Sequence, residues 1–279
     1  MRSTMVGRIS ATLASLLLAV GASATVVDLT DPGTVDSGEI NDAIFQWTDD
    51  QATGTGTIDA FVRVHDNDGT EHGYNTTEND VLNNTSDDPH NHAILLGDVP
   101  IVVIENVAYY EFLLDLAEPS GNDQEFISLD ELQLFVSDLP NQSVETFTGG
   151  IVDLASATLV YDMDALEDSY VYLDATLNSG NGSGDMFAFI PTAVFGGDES
   201  LYVYLYSSFG LTNGPVIPPT QGNGPGTATA PFGSADGSFE EWAIRERVDV
   251  IVPEPATMLL LGLGVAGAAA RRALGRKKA

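Results

Sequence analysis

The sequence predicts an all-β fold, a single β-sandwich of jelly-roll type, and three observations predict it. Apolar and polar residues alternate with a period of two in short runs; clusters of turn formers separate those runs; sustained helical periodicity is absent. The alternation is clearest where Ile58, Ala60, Val62 and Val64 interleave with Thr57, Asp59, Phe61 and Arg63, which predicts a strand with the first four residues on its buried face. Further strands are predicted over residues 43–48, 93–96, 99–104, 108–116, 131–136, 157–162, 170–176, 186–195 and 201–207. Asp68-Gly69, Ser120-Gly121-Asn122, Gly149-Gly150 and Gly196-Gly197 supply the breaks. About ten short strands so spaced predict a sandwich. Residues 213–238 are rich in Gly, Pro, Thr and Asn and predict a long loop. Phe239, Trp242 and Ile244 then predict a closing strand, so one domain occupies residues 25–250.

The N-terminal segment, residues 1–24, has the order of a secretory signal peptide. Arg2 and Arg8 precede an apolar run over residues 9–20, and Ala22-Ser23-Ala24 is the small-x-small pattern that signal peptidase cleaves. The run is shorter than the ~20 apolar residues that span a bilayer. The mature chain is therefore expected to start at Thr25.

Charge is distributed unevenly. Between Thr25 and Pro255 stand all 41 acids of the chain against Arg63, Arg245 and Arg247, a net charge of −38 with no lysine. Such a body repels nucleic-acid phosphates and anionic lipid headgroups, which argues against both as partners; it attracts divalent cations or repels its own copies and stays soluble in salt. Cysteine is absent, so stability in an oxidising compartment must come from the core and from ions rather than disulfides.

At the other end, Pro253-Glu254-Pro255 is followed by an apolar stretch over residues 256–270 and then by Arg271-Arg272 and a basic tail. The prolines disfavour helix ahead of Ala256, and the basic tail is expected to stay cytoplasmic by the positive-inside rule. Fifteen residues give a helix of about 22 Å, short of the ~30 Å hydrocarbon core, which suits temporary retention. This three-part tail resembles the PEP-CTERM sorting signal of Gram-negative bacteria. The resemblance implies recognition by an exosortase, cleavage near Pro253, Glu254 and Pro255, an inner-membrane intermediate, and association with exopolysaccharide or biofilm matrix at the cell surface. Residues 126–133 and 237–242 resemble stretches of other proteins that carry this signal, and no activity comes with that resemblance.

No catalytic constellation emerges. G-x-S-x-G is absent, and among 41 acids carboxylate pairs arise by chance. Gly262, Gly264 and Gly267 match G-x-G-x-x-G, but no βαβ unit surrounds them, so a dinucleotide site is rejected. Asp66, Asp68 and Glu71 offer hard oxygen ligands around a tight turn and are the candidate Ca2+ ligands, against the alternative of a polar hairpin. His90 and His92, two apart beside Asp87 and Asp88, are weighed between a transition-metal pair and a solvated loop. Leu201, Val203 and Leu205 share one strand face and Tyr202, Tyr204 and Tyr206 the other. The tyrosines form either a stacking platform for sugar rings or a ladder packed under the long loop. Sequons at Asn75, Asn83, Asn84, Asn141 and Asn181 are expected in surface loops.

Three functions are compatible with these features. They are a non-catalytic matrix-associated sandwich, a calcium-dependent carbohydrate-binding module, and a secreted polysaccharide hydrolase; the first is expected.

Overall fold

The computed structural model describes residues 24–48, 58–66, 71–84, 89–120, 124–178, 183–210 and 239–245, together with Ala235 and Gly237. The predicted signal peptide up to residue 23, most of the 213–238 loop and the whole sorting segment lie outside these residues.

The described chain is all-β. Its strands are β1 (Val26–Asp28), β2 (Ser37–Ile40), β3 (Ala43–Trp47), β4 (Ile58–Val64), β5 (Glu71–Tyr74), β6 (Ile94–Leu95), β7 (Ile101–Ile104) and β8 (Val107–Leu116). They continue with β9 (Phe126–Ser137), β10 (Phe147–Thr148), β11 (Ile151–Val152), β12 (Ala157–Asp162), β13 (Tyr170–Asp174), β14 (Met186–Pro191), β15 (Tyr202–Phe209) and β16 (Glu240–Arg245). The helical pieces among the described residues are two 3-10 turns, Leu96–Asp98 and Thr192–Phe195. The second replaces the C-terminal half of the strand predicted over 186–195, and it ends at Gly196, whose φ of 74° a glycine adopts without strain.

Two seven-stranded sheets result. Sheet I runs β1-β13-β9-β15-β5, with β12 also on β9 and β6 also on β15; sheet II runs β2-β3-β14-β8-β16-β4, with β7 also on β8. The small β10-β11 hairpin stands apart. The long strands β8 and β9 are the spines, each holding one partner along one edge and two successive partners along the other. Local chemistry sets the tight turns. Asn41-Asp42, Glu105-Asn106 and Gly149-Gly150 all have positive φ at both central residues, the conformation that matches strand twist in two-residue hairpins.

The core lies between the sheets. Leu129, Leu134 and Val203 from sheet I and Phe45, Phe112 and Trp242 from sheet II belong to one buried apolar cluster. Full burial of each such side chain contributes about 1.5–3 kcal/mol before entropy is counted. The Trp242 indole N–H donates to Ser207 Oγ at 3.0 Å, a polar contact from one sheet to the other. Phe61 corrects the alternation expected of β4. The register to β16 passes from Val62 opposite Trp242 to Ala60 opposite Ala243, so Phe61 is the extra residue of a β-bulge, and both Phe61 and Val62 are wholly buried.

Candidate functional site

The predicted Ca2+ loop meets an unexpected partner. Asp68 lies outside the described residues. The Asp66 carboxylate accepts a hydrogen bond from Asn83 Nδ2 at 2.6 Å, and the Asp66 backbone N–H donates to Glu71 Oε1 at 2.9 Å. Glu71 is on β5 in sheet I, opposite core residue Phe209. Glu240 begins β16 in sheet II, in phase with Trp242 and Ile244, so its carboxyl also faces the space between the sheets. Glu71 and Glu240 are both 0 % exposed. The Glu240 carboxyl lies within hydrogen-bonding reach of those of Glu71 and Glu118, and burial followed by these two neighbours holds it well above the usual carboxylate range. Glu71 Oε2 and both carboxyl oxygens of Glu240 receive no hydrogen bond from the described residues. Sequence reasoning missed Glu240, although an acid in phase with two core residues was a usable signal.

The tyrosine ladder is covered. Tyr204 is 0 % and Tyr206 5 % exposed, while Tyr202 at the strand start is partly so. The segment 138–156, including β10 and β11, lies over them. Tyr204 Oη donates to Leu139 O at 2.6 Å; Tyr74 Oη donates to Val144 O at 3.0 Å and accepts from Val144 N at 2.8 Å. Phe147 caps Tyr206 edge-on at 5.5 Å between centroids, and the Gln133 side chain holds the hairpin through Gly150 O and Val152 N. Of the two readings of Tyr202, Tyr204 and Tyr206, the burial fits the packed ladder and not the open glycan platform: the rings form a second core, built with Tyr74, Phe135 and Leu154. The described cover is segment 138–156; most of the predicted long loop lies outside the described residues.

Beside the ladder sits an acidic bulge. Glu131 pairs with Ser208 and Leu129 with Phe209, leaving Asp130 as the extra residue. Leu129 and Leu132 both stay in the core, so the two consecutive acids both point away from it. Burial, reinforced by Asp164 and Asp168, pushes Asp130 up to about 8 against a hydrogen bond from Ser128. Burial with Asp164 and Asp162 pushes Glu131 up to about 8, and Asp164 itself reaches about 6, again chiefly through burial.

The outer face of sheet II is different. It carries a cleft of about 480 Å³ lined by Gln46, Val102, Ile104, Phe187 and Phe189, with Glu111 and Arg245 in its wall. Arg245 makes a bidentate ion pair with Glu111, both bonds 2.6 Å, and its guanidinium lies 4.7 Å from the Phe187 ring centre. Glu111 is 2 % exposed, so the arginine neutralises a buried charge.

The remaining candidates are described in part. His92 Nδ1 lies 3.2 Å from Pro89 O and its Nε2 4.0 Å from Asp59, while Asp87 and Asp88 lie outside the described residues. Asn75 and Asn84 are buried, not on surface loops as their sequons suggested; Asn75 bonds Val203 O and Leu205 N, extending the β5 edge with a side chain. Among the described residues no group of three or more His, Asp or Glu side chains encloses a metal position by itself, and no helix is long and apolar enough to cross a membrane. The cleavage-site residue Ala24 is described and exposed, and Tyr170 N donates to the adjacent Thr25 O at 2.9 Å; Ala22 lies outside the described residues.

The sorting residues Pro253, Glu254, Pro255, Arg271 and Arg272 also lie outside the described structure, and here sequence comparison decides. Residues 252–273 match the PEP-CTERM protein-sorting motif. A PEP-CTERM match indicates an exported protein that an exosortase processes during membrane-associated transit to the surface. No curated protein and no solved structure matches the chain.

Proposed function

We propose that this chain is a non-catalytic, exosortase-sorted component of the cell surface or extracellular matrix, and that its body is a single jelly-roll sandwich associated with exopolysaccharide. The observation that carries the reading is the PEP-CTERM motif at 252–273 behind an acidic all-β body. The strand order supports the fold: β4-β16-β8-β14 in one sheet faces β5-β15-β9-β13 in the other, the interleaving of a doubly wound Greek key. Fractionation of native cells tests it. Wild type is expected in the matrix fraction with both ends removed, and a Pro253→Ala/Pro255→Ala variant in the inner membrane with Lys278 intact. Intact Met1 or Lys278 in the surface form overturns the reading.

The sheet II cleft favours a second reading, a carbohydrate-binding module, with the ligand there rather than on the tyrosines. Apolar walls beside an Arg–Glu pair offer a sugar both ring contact and hydrogen bonds. Gln46→Ala should then lose retention on matrix polysaccharide at unchanged melting temperature; unchanged retention removes the cleft from consideration.

A further inference from the structure

The Glu71–Glu240 pair poses a charge problem that no basic side chain among the described residues solves. Two wholly buried carboxyls, one from each sheet, meet between β5 and β16, with Glu118 beside them. A buried ionised carboxylate without a counter-charge is costly by several kcal/mol. The body has no lysine and three arginines. Arg63 is engaged with Glu241 on the far side of β16 and packs over Phe239, and Arg245 is engaged with Glu111. Arg247 is outside the described residues. His65 Nδ1 stands 3.7 Å from Glu71 Oε1, the oxygen already bonded to the Asp66 N–H. Among the described residues no donor and no basic side chain reaches the remaining three oxygens, Glu71 Oε2 and Glu240 Oε1 and Oε2.

We propose that Glu71 and Glu240 are the anchoring ligands of a divalent cation, of which Ca2+ fits best, that ties sheet I to sheet II. The ligands are hard oxygens only. Ca2+ takes six to eight of them in adaptable geometry and accepts carboxylates in one- or two-oxygen mode. Two glutamates do not fill that shell, so backbone carbonyls and water complete it. Millimolar and submillimolar affinities are usual for extracellular calcium modules, which suits an exported chain. The proposal keeps one residue of the turn expected from sequence, Glu71, and replaces Asp66 and Asp68 by Glu240. It does not depend on the proposed matrix role.

The competing occupant is a proton shared between the two carboxyls, and the experiment separates them. The full-length chain, purified in detergent and stripped with chelator, is titrated with CaCl2 at pH 7.5 in 150 mM NaCl by calorimetry, and its melting temperature is followed in parallel. One site per chain is expected, with Kd on the order of 0.1–1 mM. A rise of roughly 3–5 °C at tenfold excess over Kd follows. Glu240→Gln and Glu71→Gln should each lose the site and the rise, whereas Glu39→Gln, an exposed acid removed at the same charge cost, should keep both. Glu240→Gln copies the shape of the protonated acid, so it is expected to fold. No stoichiometric binding to wild type, or equal binding to wild type and Glu240→Gln, overturns the cation and leaves the proton.

Discussion

The outer faces of the two sheets start from the same sequence pattern and end differently. Both alternate inward aliphatic residues with outward aromatic ones: Tyr202, Tyr204 and Tyr206 on β15, Phe187 and Phe189 on β14. On sheet I the segment 138–156 closes over the aromatics, and its carbonyls accept hydrogen bonds from their hydroxyls. On sheet II the phenylalanines border a cleft whose polar element is an ion pair. Outward alternation therefore identifies a face but not its fate. The fate depends on whether a segment distant in sequence lies over it.

Breaking the covered face should have the largest effect. Tyr204→Ala removes a wholly buried ring and its bond to Leu139 and is expected to cost about 3–5 kcal/mol in chemical denaturation. A loss below 1 kcal/mol would mean that the cover is not closed in solution.

The acidic bulge beside the ladder should make that face respond to pH. Asp130 and Glu131 titrate near 8 and Asp164 near 6 in the folded chain, all above ordinary carboxyl values. Folded carboxyls of raised pKa bind protons that the unfolded chain releases. Their stabilisation is full below about pH 4, where both states are protonated, and is lost as pH rises through 6 to 8. In chelator, the melting temperature at pH 8 should be lower than at pH 5 by roughly 5 °C. Asp130→Asn should flatten that slope, and a melting temperature rising with pH would contradict the burial of these groups.

On the open face, Arg245→Ala strands the buried Glu111 carboxylate. A cost of about 1–3 kcal/mol is expected, reduced from the fully buried case because Arg245 is partly exposed. Adding Glu111→Gln should restore part of it, and a strictly additive double mutant would show that the pair is not coupled. Smallest is Tyr74→Phe, which deletes one hydroxyl contacting both N–H and C=O of Val144, at about 1 kcal/mol in the same assay.

Most strands were legible because burial on one side of a sheet prints a period of two. Predicted residues 157–162 coincide with β12, and β3, β8, β13 and β15 fall within one or two residues of expectation. What the pattern hid has physical reasons. β5 contains Glu71 and Gly73, and its edge is completed by the Asn75 side chain, so it carries little apolar signal. Bulges at Phe61 and Asp130 reverse the phase within a strand, which placed Phe61 on the wrong face. The ladder's cover rests on contacts such as Tyr204 to Leu139, 65 residues apart, that no local window contains. Glu71 was picked out for its oxygen chemistry, but its partner Glu240 lies 169 positions later on the other sheet.

The position of β16 bears on how the chain is delivered. The last strand among the described residues is not an edge strand; it pairs with β4 on one side and with β8 on the other. Until residue 245 has crossed the membrane, β4 has no partner to join it to β8, and sheet II stays open along that line. In export from the N-terminus, sheet II therefore closes between β4 and β8 only when β16 arrives. Truncation ahead of Glu240 removes the keystone of sheet II rather than trimming an end. The sorting motif begins at residue 252, seven positions after that strand. Completion of the fold and presentation of the sorting signal are thus nearly one event in the chain's passage across the inner membrane.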